Sequence, residues 1–90
     1  MAPWRVVFSK RAESDLILLD GQMRRRIVDA IEWLSENFED IVPIPLGGPW
    51  RGFFKLRVGD WRAVYRINFA ERALIIHYID RRDKIYKRSK

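Results

Sequence analysis

The chain has no cysteine, no threonine, four serines and a single histidine among its 90 residues. Without cysteine there is no disulfide framework, no thiol nucleophile and no thiolate zinc site. One histidine cannot build a histidine-rich metal site, and no serine lies in a glycine-flanked nucleophile turn. Long hydrophobic runs are missing too. The longest apolar stretches, such as Ala73–Ile76, fall far short of the ~20 residues that cross a bilayer. No charged-then-apolar leader opens the sequence, so neither a secretory signal nor a membrane partner is expected, and the expected location is the cytoplasm. No cofactor and no metal is expected. Much of hydrolase chemistry is excluded at this point.

What remains is a small, charged, folded chain. Hydrophobic residues make up 48% and charged residues 33%, the balance of one compact domain over residues 1–90. A chain of this size buries only about 60–65% of its unfolded surface, so its core must be used efficiently. The net charge is +6 and is unevenly placed. Residues 1–45 carry six Lys/Arg against eight Asp/Glu, a net of −2; residues 46–90 carry twelve against four, a net of +8. A basic excess confined to one half suggests a polyanionic partner, nucleic acid ahead of membrane.

Trp4–Phe8 is rich in β-formers and reads as a first strand. Ser9 offers a helix N-cap, with Glu13 and Asp15 in the first turns, where the helix dipole favours negative charge. Ala12, Leu16 and Leu19 then form one apolar stripe. Asp20–Gly21 separates this helix from a second, in which Met23, Ile27, Ala30, Ile31, Leu34 and Phe38 recur at helical spacing. The short link makes the two an antiparallel helical hairpin. Arg24–Arg26, near the start of the second helix, opposes the macrodipole and is most simply a solvated face, although ribosomal RNA or an acidic partner segment could use it. Trp33 reads as packing, with exposure as the sign of a partner contact. Phe38–Pro49, with three prolines and two glycines, reads as loop. Trp50–Val58, Trp61–Asn68 and Ala73–Asp80 then read as a three-stranded antiparallel meander, which makes the fold α+β with a small twisted sheet.

Gly59–Asp60 has the form of a two-residue hairpin turn. That turn sets Val58 opposite Trp61, Arg57 opposite Arg62, Leu56 opposite Ala63, Lys55 opposite Val64 and Phe54 opposite Tyr65. Alternation sorts the side chains. Phe54, Leu56, Val58, Trp61, Ala63, Tyr65 and Ile67 face the helices. Phe53, Lys55, Arg57, Arg62, Val64 and Arg66 form the other face, with no carboxylate among them. Arginine opposite arginine costs a few tenths to about 1 kcal/mol against a neutral pair. Such a breach of local rules has two explanations: a site that needs both cations, or pairing of one of them with Asp80 or Asp83. Clustered guanidinium groups bind phosphate and stabilise charge developing on it. With lysine and tyrosine added, such a face suits attack of a ribose 2′-hydroxyl on the adjacent phosphodiester, a reaction closed to DNA.

The run Trp50-Arg-Gly-Phe-Phe-Lys-Leu-Arg-Val-Gly-Asp-Trp-Arg-Ala-Val-Tyr65, followed by a strand and Asp80-Arg-Arg-Asp-Lys-Ile-Tyr86, resembles the RelE/ParE superfamily of toxin–antitoxin toxins. The resemblance covers nearly the whole chain and implies the same small α+β fold. From the RelE branch it implies a messenger RNA endoribonuclease acting in the ribosomal decoding site and held in check by a cognate antitoxin. Through the antitoxin complex it implies indirect contact with DNA. The resemblance further implies that Lys55 and Arg57 are two of the catalytic basic residues and that Arg62 grips the phosphate. Arg82 then acts as general acid or stabilises the leaving group, and Tyr86 stacks on or orients the nucleotide. Arg66, Arg81, Lys84 and Lys87 complete the expected RNA-binding surface. Two positions depart from the pattern: Arg57 replaces a lysine, and Arg81 replaces a histidine found in many relatives. If the lysine is the general base, Lys55 or Tyr86 must take that role here.

The resemblance also carries a second function. ParE-like members poison DNA gyrase and have no nuclease chemistry, and they often lack the full basic-plus-tyrosine set. A non-catalytic nucleic-acid-binding module is the third alternative. His77, in the apolar run Leu74–Ile79, reads as structural, Tyr65 and Trp61 as core, and Tyr78 is left open because both faces of its strand look apolar.

Overall fold

The computed structural model describes residues 3–85. The chain runs β1 (Arg5–Phe8), α1 (Lys10–Leu18), α2 (Gly21–Glu36), β2 (Ile44–Pro45), β3 (Phe54–Val58), β4 (Trp61–Asn68) and β5 (Ala73–Arg81). The strands form one sheet in the order β1-β5-β4-β3-β2, with β1 parallel to β5 and every other pairing antiparallel. The α+β class and the meander stand, with one strand added. β2, an isoleucine and a proline that follow Pro43, lies inside the segment read as loop and pairs Ile44 with Lys55 and Pro45 with Phe54. The strand expected from Trp50 begins only at Phe54, because Gly48–Trp50 form a 3-10 turn.

Both helices start where their caps dictate. The Ser9 hydroxyl accepts from the Ala12 N–H at 3.0 Å and the Asp20 carboxylate from the Met23 N–H at 2.9 Å. Arg24 is not a solvated residue. Its guanidinium donates to the carbonyls of Leu16 (2.8 Å), Ile17 (3.2 Å) and Leu19 (2.6 Å) at the end of α1, where main-chain donors run out. A cation there also complements the negative end of the α1 dipole, so an arginine unfavourable for its own helix serves its neighbour.

α1 also completes the edge of β5. β1 pairs only with Ala73–Ile76, while β5 runs on to Arg81. Beyond β1, the Ser9 hydroxyl donates to the His77 carbonyl at 2.6 Å and the Asp15 carboxylate accepts the Ile79 N–H at 2.9 Å. Two side chains thus stand in for a missing strand. Asp15→Ala is expected to destabilise the protein by about 1–3 kcal/mol, the cost of stranding a part-buried amide, and Asp15→Asn by less. Urea denaturation of the two variants measures the difference.

The sheet is packed on both faces, and this corrects the cationic face expected from alternation. On the helical side lies the main core, including Ile27, Ile31, Leu34, Ala63, Tyr65, Leu74 and Ile76. All seven residues assigned to that side by parity pack there. The opposite face carries a second core of Leu46, Trp50, Val64, Tyr78 and Ile85, with Phe53 against it. Val64 and Phe53 therefore belong to a hydrophobic layer, and cations only border it. A register shift between Val64 and Tyr65 turns Tyr78 into this layer, where its hydroxyl donates to the Ile85 carbonyl. His77 is the extra residue at the shift, its ring packed beside Trp50 and Phe53 at 5.9 and 5.1 Å between centroids. That is the structural role expected of it.

Candidate functional site

The β3–β4 hairpin positions the site. All five cross-strand pairs match the register that the Gly59–Asp60 turn requires, including Arg57 opposite Arg62. Gly59 has φ +60° and Asp60 is not left-handed, the pattern of a type II′ turn, which wants glycine first. Arg62 folds back over this turn. Its Nη1 donates to the Gly59 and Trp61 carbonyls, both at 2.8 Å, which fixes the guanidinium and leaves its Nε and Nη2 hydrogens for a ligand. Arg82 arrives from the segment after β5, tied down by its backbone N–H donating to the Asp60 carbonyl at 2.9 Å.

Arg57 and Arg82 each lie close enough to act on Arg62. Burial first, then the charges of Arg57 and Arg82, lower the proton affinity of the Arg62 guanidinium, while Asp60 works the other way. Among the described residues, none of these three arginines has a carboxylate within ion-pairing distance. Pairing with Asp80 or Asp83, the structural explanation for the arginine pair, is therefore not what holds them. An arginine cluster with no carboxylate paired to it suits an anion that is not part of the chain.

The other expected site residues are distributed around this cluster. Lys55 is half-buried on β3, opposite Val64, and helps line a small cavity of about 150 Å³ with Trp33, Ile44 and Arg57. Arg66 is exposed on β4, its guanidinium 6.0 Å from the Phe53 ring. Lys84 is exposed in the turn after β5. Arg81 is not brought into the cluster. It pairs with Trp61, shares that residue's helical-side face, and stacks over its ring at 5.7 Å. Tyr86 and Lys87 lie outside the described residues. Of the other two tyrosines, Tyr65 is core, its phenol pushed up to about 12 by burial, and the Tyr78 hydroxyl is engaged by Ile85. Neither is placed to take a proton from a nucleotide at neutral pH. Among the described residues, no three histidine or carboxylate side chains gather where they could share a metal ion. Nor, among those residues, is any helix long and apolar enough to cross a membrane.

Residues 6–86 match the family model of the ParE toxin of the type II toxin–antitoxin system parDE. The chain belongs to the ParE toxin family. Among solved structures, the toxin is similar to a chain of the toxin–antitoxin complex RelBE2 from Mycobacterium tuberculosis, at 30% identity and a TM-score of 0.80. That alignment covers 91% of this chain and 94% of the other. The fold is shared with the YoeB/ParE toxin from Agrobacterium tumefaciens (22% identity, TM-score 0.71, covering 86% of this chain and 96% of that one). It is shared too with the isolated RelE toxin of Escherichia coli (16% identity, TM-score 0.72, covering 93% and 92%). No curated protein matches the sequence. The RelE/ParE resemblance of the hairpin and C-terminal motifs is thus borne out, and the chain is a toxin of a type II toxin–antitoxin system.

Proposed function

We propose that this toxin is an endoribonuclease that cleaves messenger RNA on the ribosome, inhibits translation, and is neutralised by a cognate antitoxin. The observation that carries the reading is the trio Arg57, Arg62 and Arg82 gathered at one hairpin turn, none of them ion-paired with a carboxylate among the described residues. In the proposed reaction the ribose 2′-oxygen attacks the adjacent phosphorus. The bond from phosphorus to the 5′-oxygen breaks, the 2′-hydroxyl proton leaves to a base, and the 5′-oxygen takes up a proton. The products are a 2′,3′-cyclic phosphate and a 5′-hydroxyl. Arg57 and Arg62 bind the phosphate and stabilise the charge that grows on it. Arg82 faces the leaving oxygen, and Lys55 or Tyr86 accepts the proton. An exposed apolar strip of Trp33, Val42 and Ile44 beside Lys55 and Arg57 supports docking of an acidic, apolar antitoxin segment.

Messenger RNA programmed on ribosomes, with one 2′-deoxynucleotide at the cut position, tests the chemistry. The expected result is cleavage of the all-ribose message with a cyclic phosphate end, and an intact message where the 2′-oxygen is missing. Cleavage of the deoxy-substituted position would contradict the mechanism.

A second reading has its own support. The matching family model is that of ParE, and a ParE-like toxin would poison DNA gyrase without cutting RNA. In that case Lys55→Ala leaves toxicity unchanged and arrest is accompanied by DNA damage.

A further inference from the structure

The helical layer contributes a cation to the same turn. Arg26 extends from the first turns of α2 until its guanidinium covers Gly59, with Nη2 only 3.2 Å from where a Cβ on that glycine would stand. Arg62 reaches Gly59 from the opposite face of the sheet and bonds its carbonyl. Two guanidinium groups therefore converge on one glycine from two sides. Among the described residues, neither forms an ion pair with a carboxylate. Nothing in the helix requires Arg26 to lie there: Arg24 already serves the end of α1, and Arg25 is exposed among Asp29 and Glu32. Glycine at 59 is needed for the turn, and its missing side chain leaves the space that Arg26 occupies.

We infer that Arg26 and Arg62 form a phosphate seat at the tip of the β3–β4 hairpin. It adjoins the cluster on the sheet face, the two sharing Arg62, and takes a backbone phosphate of the RNA flanking the one that is cut. The inference rests on the RNA-binding reading above. It extends the bound strand from the face of the sheet, around the turn, onto the start of α2. Phosphate contacts of this kind set register and are insensitive to sequence.

Two measurements test it. With inorganic phosphate as the probe, NMR titration is expected to shift the Gly59 amide and the Arg26 and Arg62 side-chain N–H signals together. The Gly59 response should vanish in Arg26→Ala. Saturation elsewhere with Gly59 unmoved would overturn the seat. With a single-stranded RNA oligonucleotide, Arg26→Ala should weaken binding and reduce the slope of log K against log salt by about 0.7, one phosphate's worth. Arg25→Ala, which removes the same charge one residue away, should change the slope by less than a third of that. Equal effects of the two variants would reduce Arg26 to bulk charge and overturn the inference. Failure of the RNA-binding reading looks different: the wild-type protein would show no salt-dependent RNA binding, while the phosphate titration would still report on the seat.

Discussion

Arg82→Ala is expected to slow cleavage of ribosome-bound RNA by about a hundredfold or more, the scale on which loss of one group stabilising transition-state charge is felt. The side chain is exposed, and its anchoring bond to Asp60 comes from the main chain, so the substitution leaves that bond in place. Thermal stability should change by less than about 0.5 kcal/mol, as at most surface positions. Removing Arg82 also relieves the repulsion it exerts on Arg62, which argues against any loss of stability. Arg82→Lys keeps the charge but not the planar fork and should recover only part of the rate. Single-turnover kinetics beside a thermal melt separates these effects. An unchanged cleavage rate in Arg82→Ala would remove this arginine from the chemistry.

Trp50→Ala should have the largest effect on the fold. Trp50 is 2% exposed at the centre of the second core, with Phe53 and Tyr78 each 5.2 Å away between ring centroids. Truncating a tryptophan in such a place costs about 3–5 kcal/mol. A chain of this length has roughly 5–13 kcal/mol in total at typical stability per residue. The loss should therefore lower the urea midpoint steeply. Activity should fall with it, because Ile85, the last described residue, belongs to the same core and anchors the segment that carries Arg82. Trp33→Ala, at 52% exposure, is the contrasting case and should shift the midpoint little. Similar losses in the two variants would show that the second core contributes nothing beyond an ordinary surface cluster.

That second core marks the limit of what was legible in the sequence. The hairpin could be read because Gly59–Asp60 permits few turns and a period of two then fixes every side chain. All five pairs followed. The helical hairpin could be read from its apolar stripes, the Ser9 cap and the break at Asp20–Gly21. Parity, however, says which side chains share a face and not whether that face meets water. Parity groups Val64 and Phe53 with cations, yet Val64 is fully buried. A signal was present in Leu74–Ile79: a strand apolar on both faces must be covered on both. β2 was illegible because two residues, one of them a proline, carry no periodicity. Arg24 and Arg26 were illegible for a different reason. Their partners, the end of α1 and the Gly59 turn, exist only once the helices and sheet have packed.

Induced expression in a bacterial host separates messenger RNA from gyrase as the target. A reporter messenger RNA is mapped by primer extension, chromosomal DNA is examined for breaks, and Arg82→Ala is the control. The expected result is growth arrest with cuts inside translated codons, intact DNA, and neither arrest nor cuts in the control. Arrest with an intact message and broken DNA would contradict it and make the toxin a gyrase poison.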